Sequence, residues 1–168
     1  EKVNNDLTSG VIRSRSKSRQ KKAIFLDRDG TINPEVGHLK NAKRFSLIPG
    51  VGEAIGKLNS SEYLALCVTN QPVIARGELS LEGLIKIHNK METLLGEEGS
   101  YLDDISFCPH HPEALIKKYK KKCSCRKPRN GMIEKILKNF YCSRKASFFI
   151  GDKNSDMMAA KNSKIKFF

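Results

Sequence analysis

The chain has 168 residues, with 31 Lys and Arg against 18 Asp and Glu, so its formal net charge is +13. This length suffices for one globular domain with a substantial core, and a strongly positive field attracts phosphate-bearing partners. The first residues, Glu1 to Asn5, lack the apolar core of a secretory signal, and no apolar run reaches the roughly 18 residues that a membrane-spanning helix needs. We therefore expect a soluble, cytoplasmic protein without a membrane partner.

Residues 1–22 are rich in basic and polar residues, including Ser-Arg-Ser-Lys-Ser-Arg from Ser14 to Arg19. A segment with so little apolar content cannot offset the conformational entropy that ordering costs. We predict a linker or flexible N-terminal segment here, with a basic nucleic-acid-binding arm as the alternative. Residues 23–168 are predicted to form the single folded domain.

From Ala23 onward, short apolar runs alternate with stretches of helical period. The predicted strands are Ala23–Leu26, Tyr63–Val68, Ile105–Phe107, Ser147–Ile150 and Ile165–Phe168. The predicted helices are Val51–Leu58, Leu81–Leu95, Met132–Phe140 and Asp156–Asn162. The apolar stripe of the second helix is predicted to contain Leu81, Leu84, Ile85, His88, Met91 and Leu95. This alternation predicts an α/β fold with a doubly wound parallel sheet, whose ligands bind at the carboxyl ends of the strands.

The first predicted strand is followed by Asp27-Arg28-Asp29-Gly30-Thr31, which places two carboxylates two positions apart. One carboxylate can attack phosphorus and form an acyl phosphate. The other can protonate the leaving oxygen and later activate water. Gly30 allows a sharp turn and a close approach of the backbone to a phosphate. The alternative is a polar turn with Asp caps, but the position directly after a buried strand favours a catalytic site.

Polar groups also follow later strands. Thr69-Asn70-Gln71 could hold phosphoryl oxygens through a hydroxyl and main-chain N–H groups, although Thr-Asn is also common in plain turns. Asp152 follows the fourth strand, and together with Asp27 it would suit Mg²⁺, which prefers oxygen ligands. Lys127 could neutralise charge on a transferring phosphoryl group, or it could be a solvated surface charge. Asp156 could cap the helix that follows it.

Three cysteines and a histidine form a C-x-H, C-x-C set, with Cys108 and His110 followed by Cys123 and Cys125. Three thiolates and one imidazole satisfy a closed tetrahedral structural zinc site, which would order a loop too polar to fold by burial. Reduced, buried cysteines are the alternative, and His111 is a competing imidazole. The lysine-rich run 117–122 within this loop is predicted to be a solvated face.

Four segments, in chain order, resemble the signature motifs of the haloacid dehalogenase superfamily of phosphatases: Asp27-Arg28-Asp29-Gly30-Thr31, Thr69-Asn70, Lys127-Pro128 and Gly151-Asp152. The resemblance covers nearly all of residues 23–168. It implies that Asp27 is the nucleophile and Asp29 the general acid/base, while Thr69 and Lys127 stabilise the transferring phosphoryl group. It also implies that Asp152 binds Mg²⁺ together with the Asp27 carboxylate and the main-chain carbonyl of Asp29.

The cysteine-rich loop before Arg126 is similar to the branch of heptose bisphosphate and histidinol-phosphate phosphatases, and its length resembles the D-glycero-D-manno-heptose 1,7-bisphosphate 7-phosphatases. The resemblance favours His110 over His111 as the zinc ligand. It implies a Rossmann-like haloacid dehalogenase fold with a small zinc-stapled loop and no large cap domain. It assigns substrate contacts to Asn70, Gln71, Arg126, Lys153 and the loop from Glu35 to His38. Pro72-Val73 stands where that family more usually has Ser-Gly.

The sequence therefore predicts a phosphatase with Mg²⁺ and Zn²⁺ that hydrolyses a small sugar phosphate, heptose 1,7-bisphosphate at its 7-phosphate, through an aspartyl-phosphate. A histidinol-phosphate phosphatase would share every catalytic residue. A nucleic-acid 3′-phosphatase or binding protein is less favoured, because aromatic residues are not interleaved with the basic runs. Members of this branch also occur fused behind sugar-phosphate nucleotidyltransferase domains, and a start without Met suits such an excerpt of a longer protein.

Overall fold

The computed structural model describes residues 19–168, so residues 1–18 of the predicted N-terminal segment lie outside the described part of the chain. The strands are β1 (Lys22–Leu26), β2 (Tyr63–Asn70), β3 (Asp104–Cys108), β4 (Phe148–Ile150) and β5 (Lys166–Phe167). The helices are α1 (Val51–Asn59), α2 (Leu81–Glu97), α3 (Gly131–Asn139) and α4 (Asn154–Asn162). Among the helices of residues 19–168, none combines the length and the hydropathy that crossing a bilayer requires.

β1 is the central strand of a five-stranded sheet with the order β3-β2-β1-β4-β5. Every neighbouring pair of strands is parallel. The register pairs Leu26, the last residue of β1, with Cys67 of β2 and with Ile150 at the end of β4. The carboxyl ends of the three central strands therefore lie side by side. The predicted α/β fold with a parallel sheet is confirmed.

Apolar layers cover both faces of β1, because successive side chains of a strand point to opposite sides of the sheet. Phe25 belongs to a buried cluster with Ile133 of α3 and Ala160 of α4. Leu26 belongs to a second cluster on the other face, with Met91 of α2. Burial on both faces explains why β1 reads as an uninterrupted apolar run rather than an alternating one. The helices accordingly cover both faces of the sheet.

The predicted apolar stripe of α2 is wrong at two positions. Leu81 and Ile85 are 41% and 46% exposed, whereas Ile87, which the prediction left out, is fully buried. At about 100° per residue, Ile85 lies roughly a quarter of a turn from the line through Leu84, Met91 and the remaining buried side chains. The predicted stripe was thus centred too close to the solvent-facing side of α2. Apolar residues spaced three and four positions apart can be assigned to more than one neighbouring face of a helix, so the spacing alone did not decide between them.

Candidate active site

Asp27 lies directly after β1 and is 3% exposed. Its backbone N–H donates to the carbonyl of Ile150 at 3.0 Å, which fixes it beside the end of β4. Lys127 Nζ donates to Asp27 Oδ1 at 2.8 Å and to the carbonyl of Val68 on β2, also at 2.8 Å. The lysine is itself buried, so the charged pair replaces the solvent that each group would otherwise need. Sequence-predicted residues from distant segments thus meet at one point.

Three carboxylates converge at the same edge of the sheet. Oxygens of Asp27, Asp152 and Asp156 lie within 4.8 Å of one another, an arrangement that could hold a divalent cation. Asp152 is exposed and Asp156 is fully buried. Asp27 and Asp152 were predicted to meet here, and the structure brings them together.

Asp156 is the site residue that the sequence analysis missed, having considered it only as a helix cap. Lys153 is the N-cap of α4, and Asp156 lies three residues into the helix. Asp156 Oδ1 lies 2.6 Å from Lys127 Nζ, and Asp156 Oδ2 accepts the backbone N–H of Lys153 at 3.2 Å. Burial raises the pKa of Asp156, and the nearby Asp27 charge acts in the same direction against the opposing effect of Lys127. The sequence did contain one indication of this role, namely a second acidic residue one helical turn after Asp152.

Asp29 lies two residues beyond Asp27 and is held by three side chains, two from its own loop and one from the residue just after β2. Arg28 Nη2 donates to both carboxylate oxygens at 2.9 Å, Asn33 donates to Oδ1 at 3.1 Å, and Gln71 donates to Oδ2 at 2.8 Å. Burial alone raises the pKa of Asp29, but the Arg28 charge and these hydrogen bonds together lower it below its ordinary value. Asp29 is therefore held in one orientation beside the Asp27 carboxylate.

Gly30 permits the close packing of the two acidic segments. Its φ is +87°, and a Cβ at this position would lie 2.1 Å from Asp152 Oδ2. Gly50 is a matched control, since its φ is +85° and a Cβ there would meet nothing within 4 Å. We expect Gly50→Ala to cost about 1 kcal/mol for the left-handed backbone alone, and Gly30→Ala to cost roughly 2–3 kcal/mol. Urea unfolding of the two variants measures this difference, and equal losses would show that the contact with Asp152 relaxes freely.

The carboxyl end of β2 and the residue after it connect the site residues to each other. Thr69 is buried, and its hydroxyl accepts a hydrogen bond from Gln71 at 2.9 Å. Asn70 donates to the carbonyl of Lys127 and accepts from its backbone N–H, both at 3.0 Å. The Asn70 side chain thus holds the backbone of Lys127 in place beside Asp27.

A cavity of about 380 Å³ opens next to these residues. The residues predicted to contact substrate all line it, namely Glu35, His38, Asn70, Gln71, Arg126 and Lys153. Glu35 accepts a hydrogen bond from Lys153 at 2.6 Å. His38 contacts Arg76 at 2.7 Å and Glu78 at 3.3 Å, two partners that the sequence analysis did not select. The cavity wall thus carries both signs of charge beside apolar side chains such as Leu39 and Val73.

The predicted cysteine and histidine ligands form a compact cluster, whose last residue, Cys125, directly precedes the cavity residue Arg126. Cys108 Sγ lies 3.5 Å from Cys123 Sγ and 3.0 Å from Cys125 Sγ, and His110 Nδ1 lies 3.4 Å from Cys125 Sγ. Ligands at roughly 2.3 Å from a tetrahedral zinc ion are separated by roughly 3.8 Å, so these separations are close to those of such a site. His111 is not in the cluster, and its Nδ1 accepts the backbone N–H of Glu113 instead.

Arg28 and His88 form a buried pair that the sequence analysis did not predict as part of the site. The Arg28 side chain is fully buried, and its Nη1 lies 3.3 Å from Nε2 of His88 on α2. Burial, and then the Arg28 charge, lower the pKa of His88 from 6.5 to about 4. His88 is therefore neutral in the folded protein near neutral pH. The only sequence signal was a basic residue between two acids.

The depressed pKa of His88 predicts a loss of stability in acid. Between about pH 6.5 and pH 4 the unfolded chain binds a proton at His88 that the folded chain does not. The contribution of His88 to the free energy of unfolding is therefore fully present above about pH 6.5. It falls by about 1.4 kcal/mol for each pH unit between there and about pH 4. We expect His88→Gln to lack this part of the pH dependence. Urea unfolding of both proteins at pH 7 and about pH 5.5 tests this, and identical pH dependence would contradict it.

Comparison with known proteins gives a consistent set of relatives. Residues 114–168 match a family model described as haloacid dehalogenase-like hydrolase. The D-glycero-beta-D-manno-heptose-1,7-bisphosphate 7-phosphatase of Photorhabdus laumondii is 44% identical over 143 residues, which are 85% of this chain and 76% of that protein. The phosphatase of the same name from Pasteurella multocida is 42% identical over 146 residues, covering 87% of this chain and 79% of that one.

A solved structure shows the same similarity in three dimensions. The D,D-heptose 1,7-bisphosphate phosphatase from B. bronchiseptica, complexed with magnesium and phosphate, has a TM-score of 0.79 and 31% sequence identity. The match covers 87% of this chain and 78% of that chain.

Proposed function

The chain belongs to the haloacid dehalogenase-like hydrolases, in the family of D-glycero-β-D-manno-heptose-1,7-bisphosphate 7-phosphatases, and on this premise we propose how its residues act. It is a phosphoric monoester hydrolase acting on a small phosphorylated sugar. The observation that supports our assignment of roles is the meeting of Asp27, Lys127 and Asp152 at adjacent strand ends. We propose that the 7-phosphate of heptose 1,7-bisphosphate is hydrolysed there.

In the first step, an Asp27 carboxylate oxygen forms a bond to phosphorus while the bond from phosphorus to the sugar oxygen breaks. Asp29 must carry a proton in the substrate complex, against the Arg28 charge that lowers its pKa, and it gives this proton to the sugar oxygen, which leaves as an alcohol. In the second step, Asp29 takes a proton from water as the water oxygen attacks phosphorus. The Asp27 carboxylate and inorganic phosphate are released. Lys127 and the Thr69 hydroxyl stabilise the charge on the transferring phosphoryl group.

The acidic cluster fits Mg²⁺, because it offers several carboxylate oxygens and little else. We propose Asp27, Asp152 and the main-chain carbonyl of Asp29 as the protein ligands, with Asp156 serving as the buried partner of Lys127. When bound, Mg²⁺ would neutralise charge on Asp27 and on the phosphoryl oxygens. Lys127 supplies a positive charge of its own, at 2.8 Å from Asp27 Oδ1.

The cysteine and histidine cluster fits Zn²⁺ by its donor set and spacing, and we propose Cys108, His110, Cys123 and Cys125 as ligands. The loop that they would staple carries Arg126 into the cavity wall. We propose that this loop takes the place of a large cap domain and that residues 23–168 form the phosphatase domain. A cavity of about 380 Å³ suits a monosaccharide phosphate, with Arg126, Lys153, Asn70, Gln71, Glu35 and His38 as contacts.

Steady-state phosphate release tests the substrate directly. The panel contains heptose 1,7-bisphosphate, histidinol phosphate and a 3′-phosphorylated oligonucleotide, each with Mg²⁺ and with EDTA. We expect the heptose to exceed the others in kcat/KM by roughly 100-fold or more, because buried polar groups of a matched site reject substrates that leave them unpaired. Preference for histidinol phosphate would replace the substrate assignment while leaving the catalytic roles unchanged. Full activity in EDTA would contradict the assignment of Mg²⁺.

A further inference from the structure

The Arg28 guanidinium is buried against two acceptors, a carboxylate and an imidazole. Its Nε donates to Asp29 Oδ1 at 3.3 Å, and its Nη2 donates to both Asp29 oxygens at 2.9 Å. The remaining nitrogen, Nη1, lies 3.3 Å from His88 Nε2. A buried cation is costly unless its donors are satisfied, so both partners matter to the position of the guanidinium.

His88 is suited to accept this hydrogen bond because its imidazole is neutral and fixed. Its pKa lies at about 4, and the ring packs edge-on against Phe107 of β3, with ring centroids 5.6 Å apart. A neutral acceptor satisfies Arg28 Nη1 without competing for its charge, whereas a carboxylate at this position would draw the guanidinium away from Asp29. With Nε2 accepting, the proton of the ring must be on Nδ1.

We propose that Arg28 and His88 are positioning residues for Asp29, with the His88 imidazole holding the Arg28 guanidinium and the guanidinium holding the Asp29 carboxylate toward the leaving oxygen. This inference rests on the proposed role of Asp29 as general acid/base. Neither residue lines the cavity, so neither contacts the substrate. His88 is on α2, and a helix outside the catalytic strand ends thus contributes to proton transfer.

The chemistry of the leaving group separates positioning from plain structural support. A sugar alkoxide is a poor leaving group and needs a proton as the bond to phosphorus breaks. The p-nitrophenolate of p-nitrophenyl phosphate departs as a stable anion and needs little help. Misplacing Asp29 therefore slows release of the sugar much more than release of p-nitrophenolate, whereas general loosening of the fold slows both equally.

The experiment compares His88→Met, which removes the acceptor, with His88→Gln, whose amide oxygen can accept from Arg28. Met91→Leu is the matched control, since Met91 is fully buried on the same face of α2. We expect His88→Met to lower kcat for the sugar phosphate by roughly 10- to 100-fold, with a change of less than about threefold for p-nitrophenyl phosphate. His88→Gln should recover most of the loss, and Met91→Leu should resemble the wild type on both substrates. Equal losses on both substrates, or no loss, would overturn the proposal.

The sugar-phosphate arm uses whichever alkyl phosphate the wild-type protein turns over fastest, so a wrong heptose assignment leaves this test intact. A second measurement needs no turnover. The ¹⁵N chemical shifts of His88 in the folded protein at neutral pH identify its tautomer. We expect a neutral ring with the proton on Nδ1, and a charged ring or a proton on Nε2 would overturn the proposal even if the enzyme hydrolyses heptose 1,7-bisphosphate.

Discussion

Asp27→Asn is expected to reduce phosphate release by a factor on the order of 10⁴ or more, because an amide cannot form the acyl phosphate. The substitution keeps the shape of the side chain, and it leaves Lys127 with Asp156 as its remaining anionic partner at 2.6 Å. We therefore expect a folded protein with unchanged zinc content. Phosphate release, circular dichroism and metal analysis measure the three properties.

Asp104→Asn is the matched control for this substitution. Asp104 is the first residue of β3, an edge strand that β2 separates from β1, and it is not one of the three clustered carboxylates. We expect the turnover of the Asp104→Asn protein to equal that of the wild type. Substantial residual activity in a folded Asp27→Asn protein would remove Asp27 from the role of nucleophile.

Cys125→Ala is expected to abolish zinc binding and to destabilise the loop that precedes α3. Where the ligands lie in a polar loop, the free energy of zinc binding also stabilises the folded state. The free energy of unfolding should therefore fall by several kcal/mol, on the order of half the binding free energy of a typical structural zinc site. Arg126 and Lys127 follow Cys125 directly, and turnover should therefore fall as well. Metal analysis, limited proteolysis of residues 109–126 and phosphate release measure these effects.

Cys142→Ala is the control for the loss of a thiol. Cys142 is 6% exposed and lies in the apolar cluster against α3, away from the four proposed ligands. We expect about one zinc per chain to remain and stability to fall by only about 1 kcal/mol. Freshly purified wild-type protein without zinc would contradict the ligand assignment, whatever the behaviour of the variants.

The strand ends were the part of the site that could be predicted from the sequence. Asp27, Thr69 and Asp152 each follow a short apolar run, and the rule that parallel strands share a carboxyl edge predicts that they meet. The clustering of Cys108, His110, Cys123 and Cys125 was predictable from their residue types and spacing, with the choice of His110 over His111 coming from the family resemblance. That these four residues bind zinc stays a prediction.

The features that the sequence did not predict depend on packing between segments that are distant in sequence. Whether Ile85 or Ile87 faces the sheet is decided by how α2 rotates against it, which helical periodicity leaves open. The pairing of Arg28 with His88 joins residues 60 positions apart. Asp156 acquires its role only when Lys127 is placed beside it. None of these contacts has a signature in a short stretch of sequence.

The strand order has a consequence for how the chain acquires activity as it folds. β1 pairs with β4 in the middle of the sheet, and Asp27 contacts a lysine 100 positions away. Contacts of such long range require a large loss of chain entropy before they form, and they slow folding relative to local pairing. An intermediate that has paired only β1 with β2 contains Asp27 without Lys127 or Asp152 beside it. Recovery of turnover during refolding should therefore lag behind the formation of helices and report the completion of the sheet.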